Sequence, residues 1–169
     1  MARALIVGCG CRGRVLGRRL VDEGWAVRGT SRRERAMAAI EAAGVEPALA
    51  DPNRPGTVLE LVGDVAVVVW LLGSAEGDAG VVEAIHGARL ERLLERLVDT
   101  PVRGFVYEAS GSVPAPLLEA GAAAAAAARA AWRIPVAFLD GKSPYGPGEW
   151  LDEALDAVRG VALGAGESI

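Results

Sequence analysis

Ala4-Leu5-Ile6-Val7-Gly8-Cys9-Gly10-Cys11-Arg12-Gly13-Arg14-Val15-Leu16-Gly17 is the stretch on which the reading of this chain turns. Ala4–Val7 is an apolar run with β-branched residues, too short for a helix and suited to a buried strand. Gly8, Gly10 and Gly13 follow as G-x-G-x-x-G, and Val15, Leu16, Leu20 and Val21 then recur at helical spacing. Strand, glycine turn and helix are the setting in which that spacing has a chemical meaning.

The three glycines answer three different demands. Gly8 lets the chain turn sharply. Gly10, without a Cβ, lets a pyrophosphate approach the backbone, and Gly13 lets the helix pack closely on the strand. The helix then directs unpaired N–H groups and the positive end of its dipole at the anion. The motif predicts a dinucleotide site at Gly8, Gly10, Cys11, Arg12 and Gly13.

The 169 residues suit a single domain, 1–169, and half of them are hydrophobic, enough for a sizeable core. The net charge of −4 leaves no basic footprint for nucleic acid. No charged leader with a long apolar segment precedes the first strand. The longest apolar runs, Val65–Leu72 and Ala122–Ala128, are too short to cross a bilayer. A soluble cytoplasmic protein without nucleic-acid or membrane partners is therefore expected. Cys9 and Cys11 stand two residues apart, a poor placement for an unstrained disulfide, and no second Cys pair or His cluster completes a metal site. A helix N-terminus could make Cys11 reactive. The simpler reading is two small side chains fitting a tight turn. His86 is the only histidine and reads as a surface or loop residue, because no partner is identifiable.

Taken in order, the pattern predicts a helix over Arg14–Val21, a strand over Trp25–Gly29, a helix over Arg32–Ala43 and a strand over Val45–Ala50. A short helix at Pro55–Val62 and the near-continuous apolar strand Asp64–Leu72 follow, then a flexible loop from Gly73 to Gly80. Leu90, Leu93, Leu94, Leu97 and Val98 mark one apolar stripe of the next helix. Gly104–Ala109, Pro116–Trp132, Val136–Leu139 and Trp150–Val158 read as strand, alanine-rich helix, strand and helix. The tail to Ile169 reads as a short strand or as loose chain. This alternation predicts an α/β fold: a Rossmann-type doubly wound parallel sheet of strand order 3-2-1-4-5-6 in a single domain. The ligand crevice then lies outside the strand C-termini, with Gly8–Gly13, Thr30–Arg33, Asp51, Leu72–Ser74 and Ser110–Val113 around it.

The end of the second strand indicates which dinucleotide. An NAD site places a carboxylate there for the ribose hydroxyls. Here the segment reads Arg28-Gly29-Thr30-Ser31-Arg32-Arg33, with hydroxyls and guanidinium groups and no carboxylate. Thr30, Ser31, Arg32 and Arg33 favour a 2′-phosphate, so NADP(H) is expected over NAD(H).

Four pieces in this order resemble the extended and atypical short-chain dehydrogenase/reductases, in particular the NAD(P)-dependent epimerase/dehydratase family. They are the glycine turn at Gly8–Gly13, Thr30-Ser31-Arg32, Asp51, and Tyr145-Gly146-Pro147-Gly148. Phe105-Val106-Tyr107-Glu108-Ala109-Ser110-Gly111-Ser112-Val113 is similar to that family's fifth strand and serine-rich loop. The resemblance implies that Asp51 contacts the adenine edge and that Leu72 and Gly73 line the adenosine side. It puts Ser110 on the nicotinamide side and the Tyr145–Gly148 loop over the nicotinamide end. It also exposes a departure. The family's Tyr and Lys, four residues apart, exchange a proton with the substrate. Their places fall near Leu118 and Ala122, and neither residue can carry a proton. Tyr107 is expected to pack inside its strand, and Lys142 and Tyr145 are weak substitutes in a loop. Extended members continue into a substrate domain, whereas only residues 149–169 follow Gly148 here, so a second pocket wall is expected from a partner subunit if at all.

Three readings follow. The first is an NADP(H)-binding module, cofactor-binding or redox-sensing, without standard Tyr–Lys catalysis. The alternative is an atypical NADPH-dependent oxidoreductase that transfers hydride to a small substrate without the usual proton donor. The third is a scaffold that has lost its ligand, against which the three costly glycines argue. The catalytic residues are unknown on this reading, and the Ala122–Ala131 face would suit a homodimer.

Overall fold

The computed structural model describes residues 2–141 and 149–164. Six parallel strands form one sheet in the order β3-β2-β1-β4-β5-β6. They are β1 Arg3–Val7, β2 Ala26–Ser31, β3 Glu46–Leu49, β4 Val67–Trp70, β5 Gly104–Glu108 and β6 Val136–Leu139. The predicted order and the α/β architecture are those observed. The order reverses between β1 and its neighbours β2 and β4, which opens a crevice at their C-terminal ends.

Alternation along the strands creates two cores. Leu5, Val7, Val68, Trp70, Phe105, Tyr107 and Val136 point to one face. There they meet Val58 of α3 (Pro55–Leu59), the Leu90, Leu93, Leu94 and Leu97 stripe of α5 (Ala88–Leu97), and Ala125 and Ala128 of α6 (Ala115–Trp132). Ala4, Ile6, Val67, Val69, Val106 and Leu139 point to the other face. They meet Leu16 and Leu20 of α1 (Cys11–Asp22), Ile40 of α2 (Met37–Ala42), and Leu155, Val158 and Val161 of α7 (Trp150–Ala162). The strands between these layers read as unbroken apolar runs because both of their faces are covered.

Two elements differ from expectation. The helix expected over Arg32–Ala43 starts later: Arg33 is extended, a single 3₁₀ turn follows at Glu34–Ala36, and α2 begins at Met37. Ser31 is the cause, since its hydroxyl accepts the Arg33 N–H at 3.1 Å and holds the chain in a turn. The expected flexible loop Gly73–Gly80 gives way at Ala79 to α4 (Ala79–Ile85), capped by Asp78, whose side chain accepts from the Gly80 amide. With only Val82 and Ile85 buried, α4 is too short to leave a periodic signature. Among the described residues no helix is long and apolar enough to cross a membrane.

Candidate functional site

The glycine turn joins β1 to α1. Gly8 has φ +85°, and a Cβ there would stand 2.5 Å from the Leu71 carbonyl oxygen, so the turn admits only glycine. A Cβ at Gly13 would press to 3.2 Å on Ile6 and 3.3 Å on Cys9, which measures how closely α1 rests on β1. Gly10 is different: a Cβ there would meet nothing within 4 Å. Packing therefore leaves room above Gly10, which is the N-cap of α1 and supplies no side-chain cap to its first turn. The first N–H groups of a helix lack intrahelical acceptors, and here they open on a crevice of about 790 Å³. A cradle that a Cβ would occupy, at a bare helix N-terminus, suits a phosphate pair.

The crevice brings together most of the residues expected to form it. Gly8, Gly10, Cys11, Arg12 and Gly13 line its floor; Thr30, Ser31, Arg32 and Arg33 line one end, with Asp51 and Leu72 alongside. Arg14 and Arg35 join them, which the motif alone does not reveal. Thr30 is buried, its carbonyl accepts the Cys9 amide at 2.8 Å, and its hydroxyl lies 3.4 Å from the Gly8 amide. It braces the glycine turn. Arg32 and Arg33 are exposed, so their charges face the crevice end. Asp51 accepts the Asn53 amide at 2.9 Å and gives its own amide to Thr57. Cys11 is exposed and Cys9 buried; burial pushes the Cys9 thiol up to about 11, against the opposing pull of Arg14.

Gly73 and Ser110 do not line the crevice. Gly73 is buried behind it, where a Cβ would come within 2.0 Å of the Ser110 carbonyl oxygen. Ser110 turns its hydroxyl to the Leu139 carbonyl at 3.2 Å. The carboxylate of Glu108 stands in their stead. It is 4% exposed at the end of β5, accepts the Gly73 amide at 2.8 Å and lies 3.9 Å from the Arg12 guanidinium. Arg12 in turn lies 5.3 Å above the Trp150 ring. The buried Trp150 indole N–H has no hydrogen-bond partner among the described residues but faces Glu108 closely enough to favour its charge. Burial dominates and pushes Glu108 above the ordinary carboxylate value, with Gly73 and Arg12 opposing. A carboxylate ending an apolar strand was the available signal for this residue.

His86 corrects the expectation of a surface residue. It is 1% exposed; one ring nitrogen lies 2.7 Å from the Tyr107 hydroxyl and the other 2.8 Å from the Leu72 carbonyl oxygen. A carbonyl only accepts, so Nε2 carries the proton and Nδ1 accepts from Tyr107. Tyr107 packs inside β5 as expected, and burial and Glu108 together push its ionisation up. Leu118 is buried in α6, with its carbonyl 3.4 Å from the Tyr107 hydroxyl. Lys142 and Tyr145–Gly148 lie outside the described residues.

No protein-family model matches this sequence, and no curated protein does. Solved structures match its fold. A UDP-glucuronic acid 4-epimerase from Bacillus cereus, solved with NAD, superposes at TM-score 0.65 and 14% identity over 80% of this chain. A Citrobacter triphenylmethane reductase, solved with NADP(H), does so at TM-score 0.60 and 19% identity over 82% of this chain. This chain shares its fold with both. It spans about half the length of those two structures, 55% and 48%. A candidate betaketoacyl-ACP reductase is matched over 91% of its length and 95% of this chain, at TM-score 0.70 and 16% identity.

Proposed function

We propose that this chain is an NADP(H)-binding protein of the epimerase/reductase fold that works without the Tyr–Lys pair, as a cofactor-binding or redox-sensing module. The observation that carries the reading is Gly10, a capless helix start beneath open space where the two neighbouring glycines are crowded. The pyrophosphate would lie there, on the amides of Cys11, Arg12 and Gly13. The adenosine 2′-phosphate would face Ser31, Arg32 and Arg33, with Arg14 and Arg35 adding charge. Asp51 and Leu72 would border the adenine. Structures of this fold that hold NAD or NADP(H) support a nicotinamide dinucleotide; the preference for NADP(H) rests on this chain's arginines. The module is read as cytoplasmic, with a small-molecule partner.

One observation favours the alternative of an atypical oxidoreductase: Glu108, a buried group able to carry a proton, lines the same crevice. Fluorescence titration with NADPH and NADH tests the main reading. NADPH binding about tenfold tighter than NADH is expected, and equal affinities would remove the arginine argument. NADPH oxidation by a panel of quinones and aldehydes separates module from enzyme.

A further inference from the structure

The proposed cofactor site does not account for Glu108. Burying a carboxylate at the end of an apolar strand costs desolvation, yet its surroundings are shaped to hold it. The Gly73 amide donates to Oε1 at 2.8 Å, and a Cβ on residue 73 would stand 2.6 Å from that same oxygen, so glycine admits the carboxylate there. Oε2 lies 3.9 Å from Arg12 of α1. Among the described residues, the groups facing Glu108 are the Arg12 guanidinium from α1, the Gly73 amide from the segment after β4 and the Trp150 indole from α7. Leu139 of β6 pairs with it in register, and Tyr107 precedes it on β5. Arg12 supplies the positive charge. Arg12 also stands in the first turn of α1, above which the pyrophosphate is proposed to lie, and its side chain is 61% exposed, so a ligand in the crevice can reach it.

One guanidinium thus has two claimants. We infer that Glu108 competes with the cofactor pyrophosphate for Arg12, so that the site takes up the dinucleotide together with a proton on Glu108. The inference rests on the proposed cofactor site. A pyrophosphate at the α1 N-terminus draws Arg12 toward itself and adds negative charge beside a buried carboxylate. Protonation relieves both effects and keeps the Gly73 hydrogen bond, because a neutral carboxyl still accepts through its carbonyl oxygen. Affinity for the dinucleotide accordingly rises as pH falls, since the bound form holds more protons than the free form.

Calorimetric titration of the full chain with NADPH, in two buffers of different ionisation enthalpy at about pH 7 and about pH 8, counts the protons exchanged. The 2′-phosphate of the ligand titrates at about 6 and does so equally for every variant, so the difference between wild type and Glu108→Gln reads Glu108. Wild type is expected to take up protons and Glu108→Gln not to. At the higher pH Glu108→Gln should bind roughly fivefold tighter and show a flat pH dependence. No proton uptake in wild type, equal uptake in both proteins, or weaker binding by Glu108→Gln at the higher pH overturns the inference. If NADPH binds neither protein, the cofactor site itself fails and the inference falls with it. Should Glu108→Gln not fold, Glu108→Met is uncharged, of similar length, and is read the same way.

Discussion

Three glycines spaced two and three residues apart have three unlike environments, and single substitutions separate them. Gly8→Ala must hold a side chain at φ +85° against the Leu71 backbone, so it should cost about 2–4 kcal/mol of stability, measured by denaturant unfolding. Gly10→Ala meets nothing in the fold and should unfold close to wild type, within about 1 kcal/mol. Any defect it shows belongs to the ligand. At the far end of the crevice, Arg32→Ala with Arg33→Ala should weaken NADPH binding about tenfold and leave NADH nearly unaffected, because both side chains are exposed at the crevice. Affinities for the two cofactors, compared in the same salt, check this.

Between elements, the contact that matters most behind the crevice is His86 at the end of α4 with Tyr107 on β5. It pins the Leu72 carbonyl, and so the rim of the crevice, from inside the core. Tyr107→Phe leaves a buried imidazole nitrogen without a partner and should cost about 1–3 kcal/mol. Gly121 on α6 makes room for that hydroxyl: a Cβ there would fall within 1.9 Å of it, so Gly121→Ala should cost about 2 kcal/mol despite alanine's better helix propensity. Burial holds the His86 pKa below its ordinary value of 6.5, the Leu72 hydrogen bond opposing. The unfolded chain then binds the extra proton first. The stability that neutral His86 contributes is present above pH 6.5 and is lost as pH falls from there toward the depressed folded value. Glu108 has the opposite sign. Its folded pKa lies above the ordinary 4.5, so its contribution is full below that pH and is lost as pH rises through the folded value. Thermal unfolding across this range should show the acid-side loss disappear when His86 is replaced.

Across the whole molecule, the legible features were those set by neighbours in sequence. The glycine turn, the apolar strands and the leucine stripe of α5 announce themselves within a few residues. Six such strands alternating with helices leave little choice of sheet order. The features that were not legible depend on residues far apart in the chain. Glu108 is held by an amide 35 residues earlier, and His86 finds a hydroxyl 21 residues later. No spacing rule connects such pairs. Gly73 and Ser110 are expected at the crevice because each follows a strand whose C-terminal end borders it. Gly73 is instead buried against the Ser110 backbone, and Ser110 turns its hydroxyl to Leu139 of β6.

Everything proposed for the crevice requires a pyrophosphate in the open space above Gly10. Calorimetric titration of NADPH into wild type and Gly10→Ala, with thermal unfolding of both as a check on the fold, tests it most directly. Wild type is expected to bind measurably, and Gly10→Ala at least about tenfold more weakly at an unchanged unfolding temperature. Equal binding by the two proteins, or no heat from folded wild type at millimolar cofactor, would contradict it.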